Sequence, residues 1–246
     1  LQYFLPMKVI TTLFMFFCLL LSNLSLASEQ KDLESSIHTF YHFNIDANRF
    51  WMNKSNLKYK TEVEKSLATL KQSMNYLIGQ NYSTEEFKVI KRRWNEATLF
   101  INKHSFIEIG YSDVSLLAVY REFMNSIRIE MLKWYHQNPP SSEASELLIL
   151  FDRIISTYVE VNTDPFGGFI RSPSDEDMKS TVIARQIDSI LEKFESTEII
   201  SKEDLRSIKT KWRFIRPLVV ATDKKSVPFI ILLNGRKIID TLEKYN

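Results

Sequence analysis

Two histidines one helical turn apart, His38 and His42, are flanked at the same spacing by carboxylates, Glu34 and Asp46. Side chains four residues apart share a helix face, so this run could turn metal ligands toward one point. Two histidines on one helix with no defined third ligand do not make a site, and the expectation is a structural pair with no metal and no cofactor. Arg49 is the stronger ligand candidate. A guanidinium at a helix interface can hold an anion through its planar fork of donors, although pairing with Asp46 competes with that role. Trp94 and Trp212 could line a pocket, but both fall on apolar stripes, where tryptophan belongs to the core. The sequence carries no Gly-x-Ser-x-Gly, no His-Glu-x-x-His and no Walker loop, and its single cysteine, Cys18, lies in an apolar N-terminal run. No standard catalytic constellation can be assembled, so an enzyme is not expected.

The elements that must position these side chains are helices. Apolar residues spaced alternately by three and four lie on one helical stripe. Leu33, Ile37, Phe40, Asn44, Ala47 and Trp51 form the first, with Asn44 as its polar exception. Val63, Leu67, Leu70, Met74 and Leu77 form the second, and Phe87, Ile90, Trp94, Ala97 and Ile101 the third. Leu117, Tyr120, Met124, Ile127, Met131 and Trp134 form the fourth. Four amphipathic stripes in sequence bury themselves most simply as a bundle.

The second half repeats the design. Aligning Trp94 with Trp212 pairs Ser83 with Ser201, Glu85 with Glu203, Phe87 with Leu205, Ile90 with Ile208 and Lys91 with Lys209. Ser83 with Glu86, and Ser201 with Asp204, fit the capping-box pattern. Leu147, Phe151, Ile154, Tyr158 and Val161, then Ile183, Ile187, Ile190 and Phe194, supply the preceding helices. A last helix is expected from Ser226, carrying Pro228 in its first turn. Pro217 is expected to end or kink the helix of Trp212. Asn138-Pro139-Pro140-Ser141 separates the copies, and a looser segment runs from Asn162 to Ser174. The expected fold is therefore all-α, two tandem four-helix bundle units of antiparallel helices, at residues 28–138 and 139–246.

Residues 1–27 read as upstream residues and a signal peptide. Lys8 follows Met7, an apolar run extends from Val9 to Leu21, and Ser25 and Ala27 stand at the minus-three and minus-one positions of a cleavage site. The chain is then expected in the periplasm or secreted, or membrane-anchored if uncleaved. Lys and Arg number 32 against 30 Asp and Glu. That balance gives no electrostatic signature for nucleic acid. The basic runs Lys88 to Arg93 and Arg206 to Arg216 read as solvated faces.

Ala47-Asn48-Arg49-Phe50-Trp51-Met52, the segment Ile208 to Leu218 around Trp212, and the closing stretch Pro228 to Tyr245 together resemble the PilJ-type domain. This is the N-terminal domain of type IV pili methyl-accepting chemotaxis transducers, related to nitrate/nitrite sensor domains. The resemblance implies a periplasmic four-helix sensor bundle and makes Asn48, Arg49 and Met52 the ligand-binding candidates. Such a module would take a small anion or metabolite and act through a membrane receptor or periplasmic protein. Trp51 stands where nitrate sensors carry the arginine that contacts the anion. That supports a second reading, a structural or adaptor protein that docks other proteins without a small-molecule ligand.

Overall fold

A computed structural model describes residues 7–80, 82–104, 114–163, 179–221 and 227–246, with residues 7–26 as backbone alone. The chain is all-helical. Its elements are α1 (Met7–Met52), α2 (Leu57–Gly79), α3 (Glu85–Lys103), α4 (Val114–Tyr135), α5 (Glu143–Thr163), α6 (Ser180–Lys193), α7 (Lys202–Val220) and α8 (Pro228–Leu242), with 3-10 turns at Phe194–Ser196 and Glu243–Tyr245. Among the described residues there is no strand, and no helix is long and apolar enough to cross a membrane. Residues 1–6, the Pro- and Gly-bearing stretch from Asp164 to Ser174, and Ser226 lie outside the described residues.

Local chemistry sets the helix starts. Asn56 Oδ1 accepts from the amides of Lys58 and Tyr59, closing the open end of α2. At α3 the cap is Thr84, whose Oγ1 accepts from Phe87 N at 3.2 Å, rather than the expected Ser83. Both residues offer a hydroxyl, but Thr84 has the extended backbone a cap needs, and this register leaves Glu85 and Glu86 in the positively polarised first turn. Ser201 caps α7 as expected, accepting from Asp204 N. The return half of that box is supplied from afar: the Tyr245 hydroxyl accepts from Ser201 N and donates to Asp204. Pro217 does not end α7, which continues to Val220. Arg213 and Pro217 are both exposed, so the carbonyl deprived of its amide partner is within reach of water.

Most of the stripe residues are buried, with Leu67, Val161 and Ile190 only half-buried, and the buried side chains fall into two clusters. One draws on α1 to α4 and contains Trp94 and Trp134; the other draws on α5 to α8 and contains Trp212. The two third-position helices use their tryptophans alike. Trp94 Nε1 donates to Asn75 Oδ1 on α2 at 3.1 Å, and Trp212 Nε1 donates to Asp188 Oδ1 on α6 at 2.8 Å. Asp188 also holds Arg216. An aromatic set, Tyr82, Phe87 and Trp134, packs edge to face and is tied to the start of the buried part of α1. Trp134 donates to Glu29, and Tyr82 to Asp32.

The stripes did not reveal that α1 and α5 are central to the whole molecule. Every residue from Leu147 to Val159 is buried, and α1 buries Tyr41, Phe43, Ile45 and Phe50 outside its stripe. Ile45 of α1 enters the second cluster and Ile149 of α5 the first. The two helices run parallel, with partners rising in step: Glu34 with Ser145, His38 with Asp152, and Asn44 with Ser156. This seam is polar, which explains Asn44, the exception in its stripe. α8 also packs closely against α5. A Cβ at Gly235 would stand 2.9 Å from Ile155 Cγ1 and closer still to Cδ1, so only glycine allows the approach.

Candidate functional site

The candidate ligand residues do not converge. Asn48 is buried, with Nδ2 donating to Asn44 O at 2.8 Å, and it faces a small recess with Trp51, Tyr120 and Arg121. Arg49 and Met52, a helical step around α1, line a separate groove of about 440 Å³ between the α1–α2 turn and α8. Adjacent residues on a helix point about 100° apart, so Asn48 and Arg49 cannot share a ligand on one face. The Arg49 guanidinium is held by Glu62 Oε2 at 2.8 Å and stacks 4.0 Å from the Tyr59 ring centroid. Its partner is thus Glu62 rather than Asp46, because Asp46 turns to Arg236 of α8.

The histidine run, by contrast, lies in a cleft of about 340 Å³ formed by α1, α2, α8 and the turn after α8. His38, His42 and Asp46 line it from α1, Glu62, Lys65 and Thr69 from α2, Arg236 from α8, and Glu243 from the final turn. His38 Nδ1 meets Asp152 Oδ2 at 2.6 Å, and its Nε2 meets Glu243 Oε1 at 3.1 Å. Asp152 belongs to α5 and is fully buried. Glu34, the expected upstream neighbour of His38, instead accepts from Ser141 N and the hydroxyls of Ser141 and Ser145 at the start of α5. Asp46 remains beside its histidine, with Oδ2 3.5 Å from His42 Nδ1.

The two rings, 6.1 Å apart, have opposite protonation tendencies. Burial disfavours the His38 cation, but the charge and hydrogen bond of Asp152 and then those of Glu243 outweigh it, pushing its pKa up to about 10. Burial, reinforced by the charges of Arg236 and His38, pulls His42 down to about 4. Burial likewise pushes the Asp152 carboxyl up, opposed by the His38 cation. The hydrogen bond from His38 holds Glu243 below the usual glutamate range. The cleft therefore presents His38 held between Asp152 behind it and Glu243, His42 beside Asp46, an exposed Lys65 and the Arg236–Asp46 pair.

Sequence reasoning found His38, His42 and Asp46 but not Asp152, Lys65, Arg236 or Glu243. Nothing local marks those four, since their roles come from helices that meet only in the folded chain. Comparison with protein-family models, with curated proteins and with solved structures gives no match.

Proposed function

We propose that the chain is an exported, non-catalytic sensory or ligand-binding module of PilJ-like type, built of two tandem four-helix units. In this reading it takes a small anion or polar metabolite and passes the signal to a membrane receptor or periplasmic protein. The observation that carries this is the cleft at the junction of the two helix sets. Its walls come from α1 and α2 on one side and from α8 on the other, so an occupant there touches both units at once. A ligand that contacts both sides of a junction can bias how they sit, as a sensor requires. The two apolar clusters and the matched tryptophan hydrogen bonds of α3 and α7 support the tandem arrangement. The basic residue, apolar run and small residues before Ser28 support export with removal of the leader. Lys65 and Arg236 line this cleft and are its candidate ligand cations, whereas Arg49 lines the neighbouring groove; Arg236 and Arg49 each already hold a carboxylate, Asp46 and Glu62.

A thermal-shift screen of the purified chain against small carboxylates, nitrate, phosphate and amino acids tests this. A ligand at about 100 times its Kd adds about 2.7 kcal/mol, which for a chain of this size raises Tm by several degrees. Lys65→Ala should remove the shift while leaving the unliganded Tm unchanged. No shift from any compound rejects the small-ligand reading. The adaptor reading has its own support: Met52, Leu57, Phe229 and Leu233 are exposed apolar side chains gathered at and beside the Arg49 groove. Stoichiometric capture of a periplasmic protein, lost in Phe229→Glu, would favour that reading.

A further inference from the structure

We infer that the groove between the α1–α2 turn and α8 docks a single amphipathic helix of a partner protein, one whose apolar stripe is flanked by aspartate and glutamate. This partner class rests on the adaptor reading of the groove and needs no ligand in the His38 cleft.

The groove has the length and the apolar content for such an occupant. Phe229, Leu233, Arg236, Lys237 and Asp240 line it from α8, and their spacings of three and four set them along one face over about 16 Å, or three helical turns. The other wall is Arg49, Met52 and Asn53 at the end of α1 with Lys58, Tyr59 and Glu62 at the start of α2. Phe229 is 68% exposed and Leu233 47%, and Met52 and Leu57 beside them are exposed as well. Large apolar side chains gathered in this way on a chain whose core is already formed mark an interaction surface.

Backbone chemistry selects a helix. A segment that docks by strand addition needs a sheet edge for its amides and carbonyls, and the described residues include no strand. A helix satisfies its own backbone and offers apolar side chains at i, i+4 and i+7 to Phe229, Leu233 and Met52.

Charge selects the flanks. Four cations line the groove, Arg49, Lys58, Arg236 and Lys237, against two carboxylates, Glu62 and Asp240. Arg49 holds Glu62 through Nη1 and Arg236 holds Asp46 through Nη2, so each guanidinium keeps further donors, and Lys58 and Lys237 stand exposed. Acidic flanks complement this excess of cations. A second copy of the chain would set the same cations against themselves. A flat bilayer would meet the protruding Phe229 and Leu57 and miss the half-buried Arg49 and Tyr59 and the buried Leu232.

The test is selection of a displayed library of random peptides, long enough for about four turns, on the full chain with counter-selection on its Phe229→Glu variant. Sequences specific to the unaltered chain should carry apolar residues at i, i+4 and i+7 between Asp and Glu, and a synthetic copy of the leading one should gain helical circular dichroism on binding. Phe229→Ala should weaken that peptide at least tenfold, and Lys58→Glu combined with Lys237→Glu about tenfold, both with the chain's own helicity unchanged. Enrichment of basic, proline-rich or non-helical peptides would overturn the acidic-helix partner and leave the adaptor reading standing. Binding of phosphatidylglycerol vesicles that is lost in Phe229→Glu, with no peptide enriched, would assign the surface to a membrane and overturn it too. If neither peptides nor vesicles distinguish the chain from Phe229→Glu, the inference fails, and the adaptor reading then stands or falls on Phe229-dependent capture of a periplasmic protein.

Discussion

Gly235→Ala tests how α8 is seated and, through it, how the cleft is built. On helix propensity alone the change should stabilise, since glycine in a helix interior costs about 1 kcal/mol relative to alanine. The tertiary contact opposes this. The new Cβ would lie 2.9 Å from Ile155 Cγ1 and closer to Cδ1, and Ile155 is fully buried in the second cluster. Because Cγ1 is involved as well as the chain end, a terminal rotation alone cannot relieve the clash. Overpacking of this kind costs about 1–3 kcal/mol, leaving a net destabilisation of up to about 2 kcal/mol after the propensity gain. Urea unfolding followed by circular dichroism should show a lower midpoint at unchanged slope. Ile155→Val removes Cδ1 and by itself should cost about 0.5–1.5 kcal/mol. In the Gly235→Ala background it should cost less or even stabilise, giving a coupling energy of about 1 kcal/mol or more. A stabilised Gly235→Ala, or strict additivity with Ile155→Val, would refute the close α5–α8 approach. It would also undermine the placement of Arg236 on the same helix and of Glu243 in the turn that follows it.

Trp94→Ala and Trp212→Ala should each cost about 3–5 kcal/mol by lost burial and cavity formation, read by equilibrium unfolding; a cost-free change at either would remove that residue from the core. The pH dependence of stability should carry two opposite histidine contributions. His38, raised from 6.5 to about 10, contributes stability that is complete below pH 6.5 and lost as pH rises toward 10. His42, lowered from 6.5 to about 4, contributes stability that is present above pH 6.5 and lost as pH falls through 4. His38→Gln should therefore flatten the alkaline side of a Tm-against-pH curve and His42→Gln the acid side, and the reverse pattern would contradict the two assignments.

The sequence by itself determined the helices and their inner faces, because a 3.6-residue period and a side chain's distaste for water are local properties. Trp94, Ile90 and Ala97 could be assigned to one buried stripe with no knowledge of what covers them, and the matching stripe of Trp212 followed from the same arithmetic. Near-misses such as Ser83 for Thr84 came from two adjacent residues with equivalent chemistry, a choice settled by backbone conformation. Only the tertiary structure decided which polar groups meet. His38 finds Asp152 across 114 residues and Glu243 across 205, and Asp46 finds Arg236 across 190. A polar residue's partner depends on which helices pack side by side, and no periodicity within one helix encodes that. For the same reason the polar seam of α1 and α5, where Glu34, Asn44 and Asp152 are buried and paired, left only one trace in the sequence, Asn44 as the polar exception in its stripe.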